Sequence, residues 1–166
     1  FKPLDGKWKG NFKIYEDQNQ KAKSNIDLNN ISLKNFENPN LKLVGEIEVE
    51  QIYHSESPYF QTVEITDFYP EKNEKIVSQG VNKIQNGKMW CVVKKPDETV
   101  IHDGSTEGKE TIIWQRSRQN PQKVEYFRET VLENTYEILG WGYYEGDDLN
   151  LTPKFWFYGK YNRVIK

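Results

Sequence analysis

Apolar and polar positions alternate with period two along most of this chain. Trp8, Phe12 and Ile14 alternate with Lys7, Asn11 and Lys13, and Leu41, Leu43, Ile47 and Val49 alternate with Lys42, Glu46, Glu48 and Glu50. Val63 and Ile65 alternate in the same way with Thr62, Glu64 and Thr66. This is the pattern of a half-buried strand, one face apolar and one face wet. No stretch sustains apolar residues at a spacing of 3.6, so long helices are not expected. Turn signals separate the runs: Gln18-Asn19-Gln20, Asn38-Pro39-Asn40, Pro70-Glu71-Lys72-Asn73, Asn86-Gly87, Pro96-Asp97-Glu98, Asn120-Pro121 and Glu133-Asn134. Asn86-Gly87 is the strongest, because both central residues of a type I′ hairpin turn need positive φ. The pattern predicts about ten strands, near 6–16, 24–34, 41–54, 59–69, 75–85, 88–95, 98–103, 109–118, 122–132 and 135–144, with a final aromatic stretch near 154–163.

Strands joined by successive hairpins form an up-and-down meander, and a meander of this length covers its edges most simply by closing on itself. Gly45, Gly80, Gly140 and Gly142 fall within or beside strands, where glycine marks the bends that barrel corners require. The expectation is therefore a single all-β domain over residues 1–166, an antiparallel up-and-down β-barrel, with a β-sandwich as the structural alternative.

Composition refines this picture. At 166 residues the chain suits one domain with a core of its own. Hydrophobic residues make up only 36%, but 14% are aromatic, and a few large rings per strand can supply the missing burial. The formal net charge of −2 leaves no electrostatic footprint for nucleic acid. No apolar run is long enough for a transmembrane helix. Cys91 is the single cysteine, which excludes an internal disulfide and a cysteine-based zinc cluster. A chain that begins at Phe1 is a processed product or a trimmed fragment, and processing would point to export.

The ends carry a resemblance. Gly6-Lys7-Trp8 in the first strand resembles the Gly-x-Trp signature of the calycin superfamily, which includes lipocalins, fatty-acid-binding proteins, avidin-like and nitrobindin-like barrels. The resemblance implies that Trp8 plugs the closed end of the barrel, and that a late arginine, here Arg163, packs over it. Lipocalins carry a long helix after the eighth strand, and fatty-acid-binding proteins insert two helices after the first. Neither pattern is present here, so the chain looks most like a simple ten-stranded barrel of the nitrobindin type.

Candidate chemistry follows from the strand faces. Arg116 shares a face with Ile112 and Trp114, and Arg128 shares one with Val124 and Tyr126. If both faces point inward, two guanidiniums could clamp a carboxylate, with Tyr126 as a further donor. The rival reading pairs Arg116 with a nearby glutamate and Arg128 with Glu137, since charged side chains are rarely buried alone. Trp90, Trp114, Trp141, Trp156, Tyr143, Tyr144 and Tyr158 supply candidate walls for a flat ligand or a sugar ring, set against the reading that they simply fill the barrel. His54 and His102 are each placed at a strand end. Either could ligate a haem iron or another metal, although a surface role is the simpler reading for a lone histidine. Asp103-Gly104-Ser105 and Glu145-Gly146-Asp147-Asp148 read as polar turns, and no hydrolase elbow, zinc-binding helix or phosphate loop is present.

Three functional readings remain. The first is non-enzymatic binding of a small hydrophobic or amphipathic, carboxylate-bearing molecule inside the barrel. The second is a solidly packed barrel that docks a protein or glycan. The third, through the resemblance, is a calycin-type haem-binding or lipid-modifying enzyme. Cofactor and oligomeric state are not specified by the sequence.

Overall fold

The computed structural model describes residues 1–23 and 27–165. Ten antiparallel strands close into a barrel in which each strand pairs with its neighbours in sequence and the last closes on the first. They are β1 (Gly6–Asp17), β2 (Leu41–Ser57), β3 (Phe60–Tyr69), β4 (Glu74–Gln85), β5 (Lys88–Lys94), β6 (Thr99–Glu107), β7 (Thr111–Arg118), β8 (Lys123–Leu132), β9 (Thr135–Tyr143) and β10 (Phe155–Arg163). Short 3-10 turns lie at Lys2–Leu4, ahead of β1, and at Leu33–Glu37, between β1 and β2. The barrel, rather than the sandwich, is the fold.

Two expected elements exchange places. The aromatic stretch near 154–163 is a full strand, β10, paired on one side with β1 and on the other with β9. The strand expected near 24–34 does not form over residues 27–34, and residues 24–26 lie outside the described residues. Leu28 and Ile31 are buried, as the pattern required, but against the outer face of the barrel. The β1–β2 connection is thus a strap laid across the outside. Asp103-Gly104-Ser105 is likewise not a turn, since it lies inside β6.

One end is sealed by the N-terminus. Trp8 is fully buried and donates its indole N–H to the Leu4 carbonyl at 2.7 Å. The Arg163 guanidinium stacks over the indole at 4.2 Å from the ring centroid. Its N–H groups donate to the carbonyls of Asp5, Pro3 and Glu133. The arginine thus gains a cation–π contact while capping loose carbonyls of the N-terminal segment and of the β8–β9 turn. Beside this plug, Gln61 donates to the Phe1 carbonyl and to Asp5, and accepts from Asn82.

Candidate functional site

The interior of the barrel is sorted by strand register. Trp114 on β7 pairs with Phe127 on β8 and Gly104 on β6. Phe127 in turn pairs with Gly140, and Gly140 with Phe157. All of these point inward. A Cβ at Gly104 would lie 2.4 Å from the Trp114 ring, so only glycine there lets the indole lie flat across β6. Above this layer, two residues along each strand, Arg116 faces Glu125 and Glu125 faces Gly142. The bare Cα of Gly142 leaves room for Tyr144 to fold back over it.

Charge collects in that upper layer. Tyr144 donates its hydroxyl to Glu125 Oε2 at 2.8 Å, while Arg116 Nη2 lies 2.8 Å and His102 Nε2 3.4 Å from Oε1. Arginine and histidine approach off the hydrogen-bonding axis, which leaves His102 Nε2 and Arg116 Nε without partners. Burial raises the Glu125 carboxyl, but the His102 and Tyr144 contacts and the Arg116 charge outweigh it and bring it to about 2. This group is an ion-pair network around one buried carboxylate.

Below it lies a cavity of about 210 Å³. Phe12, Tyr53, Trp114 and Phe127 supply aromatic wall, and Val63, Ile65, Val93, Val100 and Ile138 supply aliphatic wall. Polar groups also face it: Gln51, Ser78, Asn82, Cys91, His102 and Glu129, with Asp67 and the exposed Lys95 where it reaches the surface. Ser78 is only 2% exposed and its hydroxyl has no partner.

Glu129 is the most unusual lining group. Trp114 Nε1 donates to its Oε2 at 3.1 Å, and the Tyr136 hydroxyl faces the carboxyl without reaching hydrogen-bond geometry. Glu129 keeps partial exposure, toward the cavity on one side and toward a cleft lined by Phe1, Leu4, Met89 and Lys109 on the other. Burial pushes the carboxyl up to about 7, against the opposing pull of Tyr136 and Trp114. The same burial raises Cys91 to about 12 and lifts the phenols of Tyr53, Tyr136 and Tyr161 well above the ordinary range.

The residues expected to form one site divide between the two faces. Arg116 and Trp114 are inside. Arg128 pairs with Ile113 and Leu139 in the register and so faces outward, where it forms a bidentate pair with Glu107 at 2.7 Å. The two-arginine clamp is therefore not formed, because Arg116 and Arg128 lie on opposite faces of the sheet. The rival reading was right that both arginines are paired, but the partner of Arg128 is Glu107 and not Glu137.

Tyr126, Trp141 and Tyr143 are also outside, in the cluster beneath the strap. Trp141 donates to the Leu28 carbonyl, Tyr126 to that of Asn29 and Tyr143 to that of Leu151. Trp90 faces outward too, since its neighbour Cys91 faces in, and Lys88 Nζ lies 5.6 Å from its ring. His54 lies within β2 on the wet face rather than at a strand end. His102 lies within β6 and faces the interior.

Sequence reasoning did not single out Glu129, Glu125 or Ser78, and it named Tyr144 only as a candidate ring wall, not as a hydrogen-bond donor to Glu125. One signal was available: Arg116 and Glu125 fall opposite each other in a hairpin about the 118–122 turn. No group of three or more metal-ligating side chains occurs among the described residues.

No family model matches this chain, and no curated protein matches it at a significant level. Among solved structures it is similar to the crystal structure of Rv2717c from M. tuberculosis, with a TM-score of 0.60 and 13% sequence identity over 98% of this chain and 94% of that one. A likeness at that identity speaks to the fold alone.

Proposed function

We propose that this chain is a binding protein of calycin type that holds a small, largely apolar molecule inside its barrel. The observation that carries this reading is the cavity of about 210 Å³ inside the barrel, walled mainly by aromatic and aliphatic side chains with polar groups set between them. Binding sites have that composition. An engineered apolar cavity of about 150 Å³ takes up benzene, so the volume here suits a molecule built on one ring. It leaves no room for an enclosed tetrapyrrole, and His102 already lies against Glu125, which speaks against the haem reading. The solidly packed interaction module is disfavoured by the same cavity.

Native mass spectrometry of freshly purified protein, with benzene-sized neutral probes added in a thermal-shift series, tests the reading. A bound molecule or a saturable rise in melting temperature is expected. Val100→Phe and Ser78→Leu, two independent ways of filling the cavity, should each abolish it. Saturable binding that survives both substitutions would place the ligand elsewhere and overturn the proposal.

A further inference from the structure

The cavity carries more chemistry than an apolar ligand needs. Glu129 is enclosed with its carboxyl toward the interior, and its polar neighbours are Trp114 and Tyr136 rather than any cation. The cations of the cavity and of the layer above it are committed elsewhere: Arg116 lies against Glu125, and Lys95 sits at the mouth beside Asp67, while Lys109 and the N-terminal Phe1 line a separate cleft on the other side of Glu129. Four aromatic rings, those of Phe12, Tyr53, Trp114 and Phe127, share the walls. On the β4 wall, four strands around the barrel from Glu129, the unpartnered hydroxyl of Ser78 faces the same space.

Each feature selects for charge. A carboxylate-bearing ligand would meet Glu129 and Asp67, two groups of its own sign, with the only lining lysine at the surface end. A neutral ligand would gain burial and ring stacking but no pairing of charge. An ammonium gains from both, because aromatic faces attract cations and an enclosed carboxylate attracts them more strongly than one in water.

We propose that the occupant is a small organic cation, a single-ring amine whose ammonium sits against Glu129 and whose ring packs among the aromatic walls. Ser78 then receives a second polar group at the far side of the ring. This rests on the reading of the cavity as a ligand site and replaces the carboxylate-bearing ligand expected from the two arginines.

The ionisable groups that face Glu129 do not supply a competing charge. Tyr53 on β2, Cys91 on β5, Tyr136 on β9 and Tyr161 on β10 are all held uncharged at neutral pH by burial. Asp67 on β3 adds negative charge, although burial raises its carboxyl as well, and His102 on β6 lies against Glu125. Amine uptake should therefore favour the ionised form of Glu129 and release part of a proton near neutrality.

Isothermal calorimetry with three matched probes tests this: phenethylamine, 2-phenylethanol and 3-phenylpropanoate, at pH 8 and pH 5.5. At pH 8 the amine should bind at least tenfold more tightly than the alcohol, and the carboxylate should bind weakest. The amine's advantage should shrink at pH 5.5 and disappear in Glu129→Gln. Should that variant not fold, the charge series on the wild type decides alone. Equal or tighter binding of the alcohol or the carboxylate would overturn the cation assignment while leaving the cavity as a ligand site. Failure of all three probes to bind would overturn both.

Discussion

The two faces of strands β7 to β9 are both buried and both aromatic, yet they handle their polar groups in opposite ways. On the outer face, Tyr126 and Trp141 stack at 5.5 Å with their planes 4° apart, beneath the strap. Every ring donor in that cluster ends on a backbone carbonyl: Tyr126 on Asn29, Trp141 on Leu28, Tyr143 on Leu151 and Trp156 on Pro153. On the inner face, Arg116 and Tyr136 keep polar atoms unpartnered and Glu129 faces open space, and across the same interior His102 on β6 and Ser78 on β4 are unpartnered too. A structural face satisfies itself, because an unmet buried donor costs free energy. A face that leaves such groups unmet around a cavity is one that something else completes.

The largest expected effects break either face as structure. Trp8→Ala at the plug and Trp141→Ala under the strap should each cost about 3–5 kcal/mol as large core deletions, measured by chemical denaturation. They should part company in hydrogen exchange. Loss of Trp141 should deprotect the amides near Leu28 to Ile31, whereas loss of Trp8 should deprotect the ends of β1 and β10.

Next comes the upper ion-pair layer. Arg116→Leu leaves Glu125 buried without its guanidinium and should cost about 3 kcal/mol at neutral pH. The Glu125 carboxyl is held near 2, so its stabilising contribution is present above the usual carboxylate range and fades as pH falls from about 4.5 through 2. The gap between wild type and variant should close over that acid range in denaturation curves.

Glu129 runs the other way. Its folded-state value near 7 exceeds the ordinary 4.5, so the folded protein holds a proton that the unfolded chain releases between those values. The stability this contributes is present below about 4.5 and is lost as pH rises through 7. Glu129→Gln should therefore gain on the wild type from pH 5 to pH 8, by on the order of 2–3 kcal/mol. A difference that does not change with pH would contradict the burial assigned to this carboxyl.

The smallest effect is expected at the outward arginine. Arg128→Ala removes an exposed ion pair with Glu107 and should cost less than about 1 kcal/mol. It should leave binding inside the barrel unchanged, and a large loss of binding would restore Arg128 as a ligand group.

Much of the fold was legible because period two is a local signal. Alternation located most of the strands, and Trp8 with Arg163 marked the sealed end. What alternation does not reveal is which of two apolar faces is the inner one. In β9, Trp141 and Tyr143 read as cavity walls and Gly140 and Gly142 as barrel-corner bends. The glycines in fact face inward, where Phe127 and Tyr144 occupy their space, and the large rings face the strap. The strap is no strand: Leu28 and Ile31 are three residues apart, which on a strand would put them on opposite faces, yet both are buried in one cluster. Glu129 escaped notice because a lone glutamate in an alternating strand looks like a solvated one. Only the register, which sets it beside Ile138 and Ile112, turns it inward.

The central claim is that the inner face binds and the outer face only holds the barrel together. One measurement reads both. The five tryptophans each give an indole N–H signal in a ¹H–¹⁵N spectrum, with Trp114 inside the cavity and Trp141 and Trp156 outside beneath the strap. Titration with phenethylamine should shift the Trp114 signal, whose N–H is bonded to Glu129, and leave those of Trp141 and Trp156 in place. Shifts at Trp141 and Trp156 with Trp114 unmoved would contradict the account.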